Sequence, residues 1–107
     1  MMQPPQQSSP FQNFRREAPR FAEAFQAGSK ALEEASALDP KTRQLAYLAV
    51  LAALGLEGGL RVHVKEAKTA GATREEVLST LLVGLPAAGI RVMHAIGPAL
   101  AAYDAPA

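Results

Sequence analysis

The segment Leu45–Leu54, LAYLAVLAAL, is apolar on nearly every side, and a helix without a polar face must be covered by other helices or by other copies of the chain. At about 1.5 Å per residue it is far too short to cross a hydrocarbon layer of about 30 Å. It therefore belongs in a protein core. Its boundaries are marked. Asp39 is placed to cap the N-terminus, Pro40 suits the first helical position, and Gly55 can take the left-handed conformation that stops a helix. A chain of 107 residues has little other material with which to bury such a segment, so association with further copies is expected.

The formal charge of +1 comes from interspersed acids and bases, which leaves no basic stripe for a phosphate backbone, and nucleic acid is not an expected partner. No cysteine is present. That removes disulfides, thiolate nucleophiles, Cys-x-x-Cys redox chemistry and thiolate metal sites together. The N-terminus shows no basic region followed by an apolar run, so no signal peptide is expected, the membrane is not an expected partner, and the expected compartment is the cytoplasm.

Residues 1–9, MMQPPQQSS, are rich in Pro, Gln and Ser and read as a flexible arm preceding a helical domain over 10–103 and a short tail over 104–107. Ser9 and Pro10 open a short turn through Phe11 and Phe14, and Pro19 either ends it or starts the next helix. Phe21, Phe25 and Leu32 then keep roughly helical spacing, so Pro19–Ala37 is expected to be an amphipathic helix whose aromatic stripe faces a core.

Past the central segment, Gly55-Leu56-Glu57-Gly58-Gly59 predicts a tight turn, and a helix follows from about Gly59 to Ala70. Leu60, His63, Val64 and Ala67 share one face of it, which points His63 inward. Gly71 supplies a stop, and Thr73 with Glu76 forms a capping box for a helix lined by Val77, Leu78, Leu81, Leu82 and Leu85. Gly84, Pro86 and Gly89 predict a break near Pro86. Ile90, Met93, Ile96 and Leu100 then resume a helical stripe, with a second kink open at Pro98, and Tyr103–Ala107 is expected to fray. No stretch alternates with period two, so the fold class is all-α.

His63 is the leading chemical candidate, an imidazole early in its helix on the buried face, with Glu57 in the preceding turn as the carboxylate to oppose it. The plainer reading is a core histidine bonded to a carbonyl. Arg43 and Gln44 open the central helix and offer a carboxylate anchor and an amide, although Arg43 also reads as a solvated helix charge. His94 reads as a structural histidine that could also enter the same pocket or a subunit interface. His63 and Glu66, three apart, supply only two metal ligands, so no metal site is expected. The serine-hydrolase elbow, the P-loop and the dinucleotide fingerprint are all missing from the sequence.

Taken in order, LDPKTRQLAYLAVLAALG, then EGGLRVH, then AGATREEV resembles the carboxymuconolactone decarboxylase and alkylhydroperoxidase D-like superfamily over about residues 19–103. The resemblance implies an all-α, helical-hairpin alkylhydroperoxidase D-like fold in homo-oligomers, commonly trimers or hexamers. The redox branch of that superfamily carries Cys-x-x-Cys four residues before a histidine. Laid on His63, those cysteines fall at Leu56 and Gly59, and the proton-relay glutamate falls at Gln44, so a dithiol peroxidase is excluded. The decarboxylase branch matches better, with Glu57 and His63 on its polar positions, although it carries further polar residues where Gly58 and Gly59 stand here.

Two functions follow from this reading. The first is a lyase or isomerase needing no cofactor and acting on a small lactone or carboxylate, with His63 as proton donor, Glu57 orienting it and Arg43 pairing with the substrate carboxylate. The second is a non-catalytic or ligand-binding oligomer in which Gly58 and Gly59 enlarge a pocket. A concave site in which His63, Glu57 and a basic group converge favours the first.

Overall fold

A computed structural model of the chain describes residues 10–106, which form two compact units divided between Ala37 and Leu38. The expected flexible arm over 1–9, with Ser9, lies outside the described residues. Every regular element among the described residues is helical.

The first unit pairs α1 (Pro10–Glu17) with α2 (Pro19–Ala35). Pro19 starts α2, and its preset φ suits that position, while the helix ends two residues before the expected Ala37. Phe25 meets Phe11 and Phe14 edge-on at 6.2 and 6.0 Å, an aromatic trio that ties the two helices. The stripe expected to face a core does not do so. Phe21 and Leu32 are 73% and 74% exposed, and Ala22 is the one buried residue of α2. Two helices alone make too thin a layer to cover both of their apolar faces.

The second unit comprises α3 (Pro40–Leu54), α4 (Leu60–Thr69), α5 (Arg74–Leu82), the short α6 (Leu85–Ala88), a 3₁₀ segment (Gly89–Ala95) and α7 (Ile96–Asp104). The ends of α3 are those the sequence predicts. Asp39 accepts from the Thr42 amide at 2.8 Å, and Gly55 stands at φ 72°, where a side chain would be strained. The capping box is complete, with Glu76 N–H on Thr73 Oγ1 at 3.0 Å and Thr73 N–H on Glu76 Oε1 at 2.8 Å. Leu48, Leu60, Val64, Val77, Leu81 and Val92 fill the centre of one core, and the Thr80 hydroxyl donates to the Leu45 carbonyl at 2.7 Å, joining α5 to α3.

The C-terminal third breaks at two of the three residues that predict it, Gly84 and Gly89, and departs from expectation in its buried stripe and at its end. The break falls at Val83–Gly84 and again at Gly89, while Pro86 sits in the first turn of α6, where no backbone donor is missed. The buried stripe is Val92, Ala95, Ala99 and Ala102, whereas Ile90 and Met93 are 72% and 48% exposed, because a 3₁₀ segment winds at about three residues per turn and shifts the phase of every later face. The expected fraying at Tyr103 is replaced by anchorage. Tyr103 donates its hydroxyl to Ala72 O at 2.8 Å, and Arg74 holds both carboxylate oxygens of Asp104 at 2.9 Å. Pro98 stands in the first turn of α7, a position that tolerates it.

The run Arg74–Asp104 is 31 residues long and contains an 18-residue window of mean hydropathy 1.5, enough by length and composition for a bilayer span. It is interrupted at Val83–Gly84 and Gly89, and its buried residues Val77, Leu81, Val92 and Ala99 belong to the common core.

Candidate functional site

Helices α3 and α4 run antiparallel across the glycine turn, and three neighbouring pairs trace one seam between them. Gln44 lies against Glu66, Tyr47 against His63, and Leu51 beside Gly59. The spacing on each helix, three then four residues or the reverse, is that of a single helical face. This seam brings Gln44, His63 and Glu66 together.

His63 Nδ1 lies 2.9 Å from Gln44 Oε1, and Gln44 Nε2 donates to Glu66 Oε2 at 2.8 Å. A carboxylate only accepts, so the amide must turn its NH₂ toward Glu66 and its oxygen toward the ring. The ring nitrogen facing that oxygen must then carry the proton. His63 is thus held with Nδ1–H pointing into the network, and Nε2 makes no hydrogen bond among the described residues. Glu66 Oε2 also lies 3.5 Å from Nδ1.

Tyr47 packs against the imidazole, its ring tilted by 59° and its centroid 4.4 Å away, and so contacts the ring from a second side. The side chain of His63 is 29% exposed, so the ring is half-buried and neither a core group nor a free surface residue. Beside it, a Cβ placed on Gly59 would lie 3.6 Å from His63 Cδ2 and 3.8 Å from Leu51 Cδ1. Alanine would fit there. Gly59 thus packs close to the imidazole and to Leu51, and at Gly58 a Cβ meets nothing within 4 Å.

The structure therefore regroups the predicted residues. His63 is at the centre, as expected, but Glu57 does not reach it. The turn carries Glu57 to an exposed place beside Leu60 and the 3₁₀ segment, where it lines a shallow hollow with Arg91 and His94. His94 joins that hollow and not the His63 cluster. Arg43 bends back to the Leu38 carbonyl at 3.4 Å, at the start of its own helix. Gln44 and Glu66, read from the sequence as a spare amide and half of an insufficient metal pair, are the partners of the histidine, and Tyr47 was missed. The available signal was the pair of three-residue spacings, Gln44 with Tyr47 and His63 with Glu66, on two helices that a short turn forces to face each other.

Around this site the charges with displaced titrations are those that tie elements together. The Thr73 backbone N–H, with help from Lys41 2.9 Å away, holds the Glu76 carboxyl below its ordinary range, and the Thr42 backbone N–H does the same for Asp39. Hydrogen bonds from Arg74 hold Asp104 down, and the Arg74 guanidinium is raised in return.

A sequence profile of the carboxymuconolactone decarboxylase family matches residues 19–101. Searches of curated proteins and of solved structures give no significant match.

Proposed function

Because the chain belongs to the carboxymuconolactone decarboxylase family, we propose that it is a lyase needing no cofactor, acting on a small lactone or carboxylic acid with His63 as proton donor. The observation that carries this reading is the pinned imidazole. Its Nδ1–H is engaged by Gln44, Gln44 is engaged by Glu66, and Nε2 makes no hydrogen bond among the described residues. In the reaction the bond from the substrate carbon to its carboxylate breaks, carbon dioxide leaves, and the electron pair moves into the adjoining unsaturated carbonyl. Nε2–H of the imidazolium then gives its proton to that carbon, and the neutral ring regains one from water. The Gln44 oxygen accepts from Nδ1–H before and after the transfer, so the ring need not turn over. Gln44 and Glu66 thus take the orienting role that the sequence assigned to Glu57.

One observation favours the ligand-binding alternative: the hollow that gathers Glu57, Arg91 and His94 does not include His63. Carbon dioxide release from a panel of small unsaturated lactone acids separates the two readings. The lyase is expected to turn over at least one of them, and His63→Ala is expected to lower kcat by about a hundredfold or more. Turnover that survives His63→Ala unchanged overturns the role given to His63, and a wild-type chain inert on the whole panel favours the binder.

A further inference from the structure

Helix α2 of the first unit carries its charges against its own dipole. Arg20 stands in its first turn and Glu33 and Glu34 in its last, with no acid at the first end and no base at the second. A helix is positive at its N-terminus and negative at its C-terminus, so this order weakens α2 by itself. The side chains of Arg20 and Glu34 make no hydrogen bond or ion pair among the described residues.

An apolar face runs between these charged ends. Phe21, Phe25, Gly28 and Leu32 are spaced four, three and four residues apart, which puts them on one side of the helix. Phe21, Phe25 and Leu32 are 73%, 57% and 74% exposed. Gly28 sits in the middle of the face. Its backbone is not left-handed and a Cβ there would meet nothing within 4 Å, so nothing within the chain calls for a residue that weakens a helix interior.

We propose that α2 pairs antiparallel with α2 of a second copy across a two-fold axis near Gly28, each helix covering the Phe21, Phe25 and Leu32 face of the other. The side chains set the register. With the helices running in opposite directions and Phe21 opposite Leu32 of the second copy, Phe25 falls opposite Gly28 of that copy, so a ring meets the position that has no side chain. The same register brings Arg20 level with Glu33 and Glu34 of the second copy. Arg20 and Glu34 are fourteen residues apart, about four turns, and share one flank of α2. A two-fold axis keeps like flanks on one side, so each Arg20 faces the Glu34 of the other copy, and the charges that oppose the dipole within one helix are matched across the pair. A parallel pair would set Arg20 against Arg20 and Glu34 against Glu34. A membrane surface is the poorer occupant, because the described residues of the first unit hold four bases against four acids and carry no net attraction for anionic lipid. The pairing needs nothing from His63.

The test is light scattering on the full chain and its variants. Phe21→Asp is expected to halve the assembled mass with the helical circular dichroism unchanged, since a two-fold contact joins copies in pairs. Arg20→Glu is expected to weaken the same association by about tenfold, and Glu34→Arg added to it to restore it, which decides the matter even where Phe21→Asp loses helix. Direction is read by oxidative crosslinking, for which the chain offers no cysteine of its own. In an equal mixture of Phe21→Cys and Leu32→Cys chains, unlike chains are expected to join in preference to like ones. A wild-type assembly of an odd number of copies, a folded Phe21→Asp chain of unchanged mass, a double reversal that restores nothing, or a preference for like chains overturns the proposal. So does a Phe21→Asp chain that is released from phosphatidylglycerol vesicles while its mass stays the same, which would assign the face to a membrane.

Discussion

At the scale of single residues, the position of one proton decides what His63 can do. The amide of Gln44 is polarised by Glu66 on one side and presents its oxygen to Nδ1 on the other, so the tautomer is imposed by an acceptor-only group two bonds of the network away. Gln44→Leu keeps the approximate volume and removes both contacts. It is expected to reduce kcat by about tenfold or more with KM little changed, since orientation matters most when the proton moves, and paired kcat and KM measurements check this. Gly59→Leu is expected to lower activity without unfolding the chain, because its Cβ alone would lie 3.6 Å from Cδ2 of the ring, and a thermal melt beside the assay distinguishes the two outcomes. His63 was legible in the sequence from its place on the buried face of α4. Its partners were not. Glu57 is nearer in the chain, but which groups cross from α3 depends on the register set by the turn from Gly55 to Gly59, and composition says nothing of register.

At the scale of elements, helix ends carry the most readable signals and the most direct tests. Thr73→Ala removes the acceptor for the Glu76 amide and is expected to cost about 1 kcal/mol, lowering Tm by several degrees in a scanning melt. Gly55→Ala is expected to destabilise by about 1 kcal/mol, because alanine at φ 72° is strained although the space around it is open. Glu76, Asp39 and Asp104 are all held below the ordinary carboxylate range in the folded chain. A carboxyl with a lowered folded pKa stabilises the fold above its unfolded pKa of about 4, and that contribution is lost as pH falls through the folded value. Tm is therefore expected to hold steady in this respect above about pH 5 and to fall as the solution is acidified below about pH 4. The ends of α3 and α5 were legible because Asp39, Gly55, Thr73 and Glu76 act on their own neighbours. The face of the last third was not, since Ile90 and Met93 fit an α-helical period that the 3₁₀ segment does not follow.

At the scale of the whole molecule, α3 remains incompletely covered. Tyr47, Val50 and Leu54 follow one another along it at 46%, 50% and 58% exposure, and Val62 on α4 is 55% exposed. A run of this kind on a helix that is apolar nearly all round is expected to be buried between copies. Light scattering on the eluting protein should give a mass near three or six times 11.3 kDa, and Val50→Asp should move it toward that of a single chain. A wild-type monomer would contradict this. The need for more burial was legible from α3 alone, whereas a surface on another copy would leave no mark in a local pattern. His63 sits beside that same uncovered surface, so its proton placement is best measured in the intact protein. The ¹⁵N spectrum of the histidine-labelled full chain above the titration range of the ring reports which nitrogen is protonated. The account predicts Nδ1–H with a bare Nε2 at His63, and a ring protonated at Nε2 instead would contradict it.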